Sequence, residues 1–129
     1  MRQIDRVDTE ILPQLLTRGD PELPVTRETL KTVRDLSVQH IATKPVFGTT
    51  VPRSEVIATP DGSVCLDIFD PIGSSNRNPC LLLLHGGGYI MGQSKDMWNG
   101  PLFAEKTGCT VVSVDYRLAP EHPFPAGLT

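Results

Sequence analysis

At 129 residues the chain suits one domain of ordinary size, long enough to bury a core and too short for two complete domains. Hydrophobic residues make up 39% and charged residues 21%, the balance of a soluble globular protein, which excludes an acidic disordered tail and a membrane bundle. The formal net charge of -3, with basic residues scattered among acidic ones, argues against nucleic acid as a partner.

The chain opens on Met1-Arg2-Gln3-Ile4-Asp5 and soon acquires Asp8 and Glu10, without the continuous apolar stretch of an export signal, so a cytoplasmic location is expected. From Ile4, the residues Val7, Ile11, Leu12, Leu15 and Leu16 recur at three- and four-residue intervals and predict a helix that Pro13 kinks or splits. Gly19-Asp20-Pro21-Glu22-Leu23-Pro24 stops it, and Thr26 can cap a second helix carrying Leu30, Val33 and Leu36 and closing near His40, where a cation suits the dipole. By pattern alone the pair is a packed helical hairpin.

A change of period follows. Glu55-Val56-Ile57-Ala58, then Pro60-Asp61-Gly62-Ser63, then Val64, Leu66 and Ile68 alternating with Cys65, Asp67 and Phe69, predict strand, tight turn, strand. Asp70 to Pro79 is a loop by composition. The longest apolar run, Cys80 to Leu84, is of strand length, far short of the roughly 20 residues of a membrane span. This run and Val111-Val112-Ser113-Val114 are apolar on both faces, as expected of strands covered on both sides. A helix from about Asp96 to Lys106, with Gly108 just beyond it, would cross between them and make them parallel. Cys65, Cys80 and Cys109 suit neither a disulfide framework nor a metal knuckle, and buried free thiols are expected.

His85-Gly86-Gly87-Gly88-Tyr89 follows the apolar strand directly. Three glycines allow a sharp turn and expose N–H groups with no Cβ in the way, and consecutive amides facing one space make an anion site. Such a site suits the oxyanion of an acyl-transfer intermediate or a phosphate, and the triplet alone does not choose. A nucleotide fold is disfavoured by the lack of Gly-x-Gly-x-x-Gly and of a P-loop lysine.

His85 to Tyr89 after one strand, together with Asp115-Tyr116-Arg117-Leu118-Ala119-Pro120-Glu121-His122-Pro123-Phe124-Pro125-Ala126 after the next, resembles the hormone-sensitive-lipase branch of the α/β-hydrolase esterases, the bacterial family IV type. The resemblance covers essentially the whole chain and implies an α/β fold: residues 1–45 as cap helices, and residues 46–129 as the first half of the hydrolase core, an antiparallel hairpin followed by a parallel βαβ unit. In the resembling fold the third strand lies between the fourth and the fifth, so the Leu81 to Leu84 strand is expected to keep an unpaired apolar edge here, with aggregation or self-association, a molten state or pairing with a partner chain as the outcome. By position, the backbone N–H groups of Gly86 and Gly87 map onto the oxyanion donors, Gly88 shapes the loop, and His85 is structural rather than a general base. The nucleophile would sit in a Gly-x-Ser-x-Gly elbow, followed by an acid and a histidine. No serine here has that spacing: Ser74 and Ser75 lead into Asn76 and Arg77, and Ser94 into Lys95 and Asp96.

The chain is thus read as the front part of a serine carboxylic-ester hydrolase for short to medium acyl esters, without its catalytic triad, with no cofactor or metal and inactive alone. The alternative is a non-catalytic binding protein, or a subunit completed by a chain bearing the nucleophile. His122 lies in a stiff turn, and Asp115, Arg117 and Glu121 are expected to form a structural ion-pair cluster rather than acid–base machinery. Trp98, Tyr89 and Phe47 can line an acyl pocket or simply pack.

Overall fold

A computed structural model of the chain describes residues 25–73 and 77–128. The helix expected around Pro13, the stop at residues 19–24, and Ser74 and Ser75 lie outside the described residues. The chain divides into two compact units, Met1–Val33 and Arg34–Thr129.

In the first unit Thr26 and Thr29 cap each other. The Thr26 N–H donates to Thr29 Oγ1 at 2.9 Å, the Thr29 N–H donates to Thr26 Oγ1 at 3.3 Å, and the Leu30 N–H bonds to the Thr26 carbonyl at 2.9 Å. Two N–H groups that a helix start leaves unpaired are thereby satisfied, as a capping box does. Helix α1 then runs Leu30–Ala42, belonging to the second unit from Arg34 on, with His40 in its last turn. Leu30 is buried, but Leu36 and Val38 are exposed, so the apolar stripe expected of this helix is only partly covered.

In the second unit four strands form one sheet: β1 Arg53–Thr59, β2 Gly62–Phe69, β3 Cys80–Leu84 and β4 Thr110–Asp115, in the order β1-β2-β4-β3. β1 and β2 make the expected hairpin. Thr59 pairs with Gly62, so only Pro60 and Asp61 form the corner, and Gly62 enters the ladder with φ 140°, a conformation that glycine tolerates. β4 pairs antiparallel with β2 and parallel with β3, Leu84 lying opposite Val114.

The crossover differs from the helix expected at Asp96–Lys106. A 3-10 turn occupies Ser94–Asp96, and helix α2 begins only at Gly100, ending at Thr107. Pro101 explains the later start, since it cannot donate a backbone bond and fits the first helical turn. Gly108 closes α2 in the left-handed conformation at φ 70°, its N–H on the Ala104 carbonyl at 3.0 Å.

One sheet face packs on α2. Phe69, Ala104 and Val111 are buried together, with Leu81, Leu83 and Phe103 against them. Gly100 lies so close to Phe69 that a Cβ there would meet the ring at 2.6 Å. Beside this apolar patch is a polar one: buried Asp67 accepts hydroxyl bonds from Ser54 and Ser94, each at 2.6 Å, and the Ser113 hydroxyl donates to the Ser94 carbonyl at 2.9 Å. The alternation of β2 offered Asp67 no polar partner in sequence, and the serines that satisfy it come from β1 and the turn before α2.

Two expectations are corrected. β3 is not covered on both faces: Leu81 and Leu83 face the core, while Leu82 and Leu84 are 58% and 63% exposed, because the described residues place α2 on one side only. The cysteines are free but not buried, Cys80 being exposed and Cys65 and Cys109 half-buried. Cys80 shares the open face with Leu82, and Cys109 precedes β4.

Truncating Phe69 removes the largest buried side chain of the apolar patch. Phe69→Ala is expected to lower stability by about 3–5 kcal/mol, read as a fall in the urea midpoint by circular dichroism, since a cavity adds to the lost transfer energy.

Candidate active site

β3 delivers His85, which is buried and held on three sides. Its ring stacks on Tyr116 with centroids 4.1 Å apart and an 8° interplanar angle, and the Tyr116 hydroxyl donates to the His85 carbonyl at 2.6 Å. Gly92 occupies another side, where a Cβ would lie 2.2 Å from His85 Nδ1. Nδ1 is 2.9 Å from the Gly86 carbonyl, which can only accept, so Nδ1 carries the proton. Nε2 is buried with no hydrogen-bond partner among the described residues. His85 is thus bonded to neighbouring backbone. Burial, with the nearby Tyr89 hydroxyl, raises the ionisation of Tyr116 above its ordinary range and keeps it a donor.

After His85 the backbone turns through Gly87 at φ 129°, Gly88 at 61° and Tyr89 at 63°. At Gly87 a Cβ would sit 2.0 Å from the Met91 carbonyl oxygen, so no other residue fits. Tyr89 is the one non-glycine residue with positive φ among those described, a conformation costing roughly 1–2 kcal/mol. The turn is closed by the Ile90 and Met91 N–H groups, both donating to the Gly87 carbonyl at 3.2 and 3.1 Å. Among the described residues, no loop hydrogen bond is donated by the N–H of Gly86, Gly87 or Gly88. The loop lines a cavity of about 290 Å³, walled also by Leu84, His85, Tyr89, Tyr116, Gly127 and Leu128.

The aromatic trio divides. Tyr89 borders this cavity, whereas Phe47 and Trp98 pair with each other at 5.3 Å and Trp98 lines a separate groove with Val46, Val51 and Met97. The acidic and basic residues from the end of β4 onward also disperse, contrary to the expected cluster. Asp115 accepts the Ser94 N–H at 3.3 Å, Arg117 donates to the carbonyls of Ala126 and Asp61, and Glu121 takes a bidentate bond from Arg34 at 2.8 and 2.9 Å. Neighbours in sequence, these side chains reach three different elements. Among the described residues no group of three or more His, Cys, Asp or Glu side chains is placed to hold a metal ion, and no helix is long and apolar enough to cross a membrane.

The profile of a family described by its alpha/beta hydrolase fold matches residues 81–129, the part that holds β3, the glycine loop, α2 and β4. An ester-hydrolase from the metagenome of Lake Arreo, complexed with a derivative of bipyridine phosphonate, superposes with a TM-score of 0.73 at 27% identity, over 92% of this chain and 38% of that one. The chain has the α/β-hydrolase fold. An arylesterase of Saccharolobus solfataricus is 33% identical over 104 residues, 79% of this chain and 32% of that protein. An AB hydrolase superfamily protein of Schizosaccharomyces pombe is 44% identical over 80 residues, 60% of this chain and 23% of its own length. The chain therefore spans about a third or less of the curated relatives it matches.

Sequence reasoning missed three residues that shape the loop. Tyr116 stands inside a motif that gives it no separate role, and Gly92 and Arg34 belong to no motif in the sequence. Nothing in one sequence ties a helix arginine to a loop more than fifty residues away.

Hydrogen bonding to Arg34 holds the Glu121 carboxyl at about 2, below its ordinary 4.5, and Asp70 is lowered by Arg53 and Glu105 by the Thr49 N–H. A depressed folded pKa means stability that is complete above the ordinary value and lost as pH falls through the folded one. The Arg34–Glu121 bridge is expected to persist at pH 4 and open only near pH 2. The carboxyl carbon-13 shift of Glu121 measures this directly, and a midpoint at 4.5 would mean that the bridge is absent.

Proposed function

We infer that this chain carries the oxyanion-binding part of a serine carboxylic-ester hydrolase, with the Gly86 and Gly87 N–H groups as donors, Gly88 setting the turn and His85 as its structural anchor. Residues 1–45 then belong to a cap and 46–129 to the first half of the catalytic core. One observation carries the reading: a glycine loop at the carboxyl end of a parallel strand, its N–H groups unengaged in the loop's own bonds, beside a small cavity with apolar walls. Ligands of open α/β sheets bind at that end of the strands. The esterase and ester-hydrolase names of the relatives support the same chemistry.

In the complete enzyme a serine attacks the ester carbonyl, a histidine takes its proton, and the amides of Gly86 and Gly87 bind the negative charge that forms on the carbonyl oxygen. Fixed donors help because they need no reorganisation when that charge develops, and loss of one typically lowers turnover about 10²- to 10³-fold. The cavity of about 290 Å³ suits short to medium acyl groups, and the chemistry calls for neither metal nor organic cofactor. No Gly-x-Ser-x-Gly occurs in these 129 residues, so the nucleophile is assigned outside them.

Phenylphosphonate, which presents oxygens like those of the tetrahedral intermediate, is expected to shift the amide resonances of Gly86 and Gly87 in the nitrogen-15-labelled chain. Short-chain nitrophenyl esters are expected to remain intact. Unmoved amides would overturn the assignment of the donors, and turnover abolished by a serine-directed phosphonate would overturn the absence of the nucleophile.

The exposed outer face of β3 favours a second reading, in which this chain is a subunit or binding protein completed through the open sheet edge. β3 is an edge strand, paired with β4 alone among the described residues, and Leu82 and Leu84 stand exposed on it, the arrangement that recruits other strands. Sedimentation should show species heavier than 14.1 kDa, and the double substitution Leu82→Lys, Leu84→Lys should dissociate them. A monodisperse wild-type monomer with cooperative thermal unfolding would rule out this pairing.

A further inference from the structure

We propose that Arg34 is the positioning residue of the glycine loop, holding the Tyr89–Ile90 backbone in the conformation that directs the Gly86 and Gly87 N–H groups into the cavity. Its purpose rests on the oxyanion reading above; the geometry and the test do not. Arg34 projects from α1 and spends four hydrogen bonds on two short segments. Nε donates to the Ile90 carbonyl at 2.7 Å and Nη2 to the Ala119 carbonyl at 2.9 Å, while Nη1 and Nη2 engage the two Glu121 oxygens. Ala119 completes the connection, its N–H donating to the Tyr89 carbonyl at 2.8 Å. Both peptide groups after Gly88 are therefore tied down through their carbonyls, one by Ala119 and the next by Arg34.

This is the stretch that needs tying down. Tyr89 sits at φ 63°, where a side-chain-bearing residue stays only if its surroundings over-determine it. The turn's own bonds, from Ile90 and Met91 to the Gly87 carbonyl, are long at 3.2 and 3.1 Å, whereas the bonds from Arg34 and Ala119 are shorter. Glu121 acts on the far side of the guanidinium, fixing the plane of the fork so that Nε meets Ile90 while Nη2 meets Ala119. A lysine cannot reproduce this, since its ammonium is a point charge without a planar fork. Arg34 is half-buried and Glu121 exposed, with side chains 27% and 54% accessible, and ion pairs this open to solvent contribute little to global stability. The effect of Arg34 is accordingly local.

The test compares wild type, Arg34→Ala, Arg34→Lys and Glu121→Gln by residue-resolved hydrogen exchange, with β2 and β4 amides as internal reference. The Ile90, Met91 and Ala119 amides are expected to exchange at least tenfold faster in both Arg34 variants and less so in Glu121→Gln, while β4 protection is unchanged. Faster exchange throughout the sheet would show a merely structural role, and unchanged loop exchange would show none; either overturns the proposal. Wild-type protection restored by lysine would overturn the requirement for the fork. Phenylphosphonate titration of the same samples separates the two readings. Failure to move Gly86 and Gly87 in wild type removes the oxyanion assignment, while the exchange comparison still decides Arg34.

Discussion

The packing of the His85 ring between Tyr116 and Gly92 is the constraint on which the rest of the site depends. β3 and β4 run parallel with Leu84 opposite Val114, so His85 and Tyr116 leave the same end of the sheet one and two residues later. That register lets one ring lie flat on the other while the phenol reaches back to the His85 carbonyl. A slip of one residue would turn every side chain of β3 to the opposite face and lose both contacts. The 2.2 Å approach that a Cβ at position 92 would make to the imidazole shows how little room is left. Aromatic pairing of this kind contributes only about 0.5–1.5 kcal/mol, so its value is geometric more than energetic.

From this anchor the loop conformation follows in steps. His85 is fixed, so the Gly86 carbonyl is fixed by its bond to Nδ1. Gly87 must then pass within contact of Met91, which only a residue without Cβ can do, and the chain continues through two left-handed residues, of which only the first is glycine. The cost at Tyr89 is offset by hydrogen bonds from outside the loop. A turn held this way exposes N–H groups and cannot easily rotate to satisfy them internally, which is the condition under which backbone amides bind an anion.

The periodic and punctuating signals were legible in the sequence. The alternation from Val64 to Phe69, the turn residues Pro60 and Asp61, the stop at Gly108 and the parallel relation of the two apolar strands all follow from local chemistry that tertiary packing did not override. Pro101 was equally visible and moves the start of α2, but the apolar Met97 extended the apparent helix across it. The covering of β3 was misjudged because a run of leucines states what a strand can bury, not what is present to bury it. The polar patch of Asp67, Ser94 and Ser113 and the clamp of Arg34 on Glu121 join residues distant in sequence, where a single chain without periodicity at those positions carries no signal. The charges at Asp115, Arg117 and Glu121 were misgrouped for the converse reason: adjacency in sequence is poor evidence of contact when each side chain leaves an irregular segment in a different direction.

The supports of the glycine loop come from one side. Tyr116 follows β4, Gly92 and Met91 precede the turn into α2, Ala119 and Glu121 continue from Tyr116, and Arg34 lies on α1. None of these contacts uses the outer face of β3, where Leu82 and Leu84 stand exposed. The loop is therefore shaped by this chain's own residues, independently of what packs against the open edge. On the oxyanion reading this separation matters physically. Donors already oriented by the β4 side need not rearrange when a nucleophile-bearing element meets the β3 edge, so the arriving group supplies the reactive oxygen and its proton acceptor while the electrostatic half of the site stays as it was.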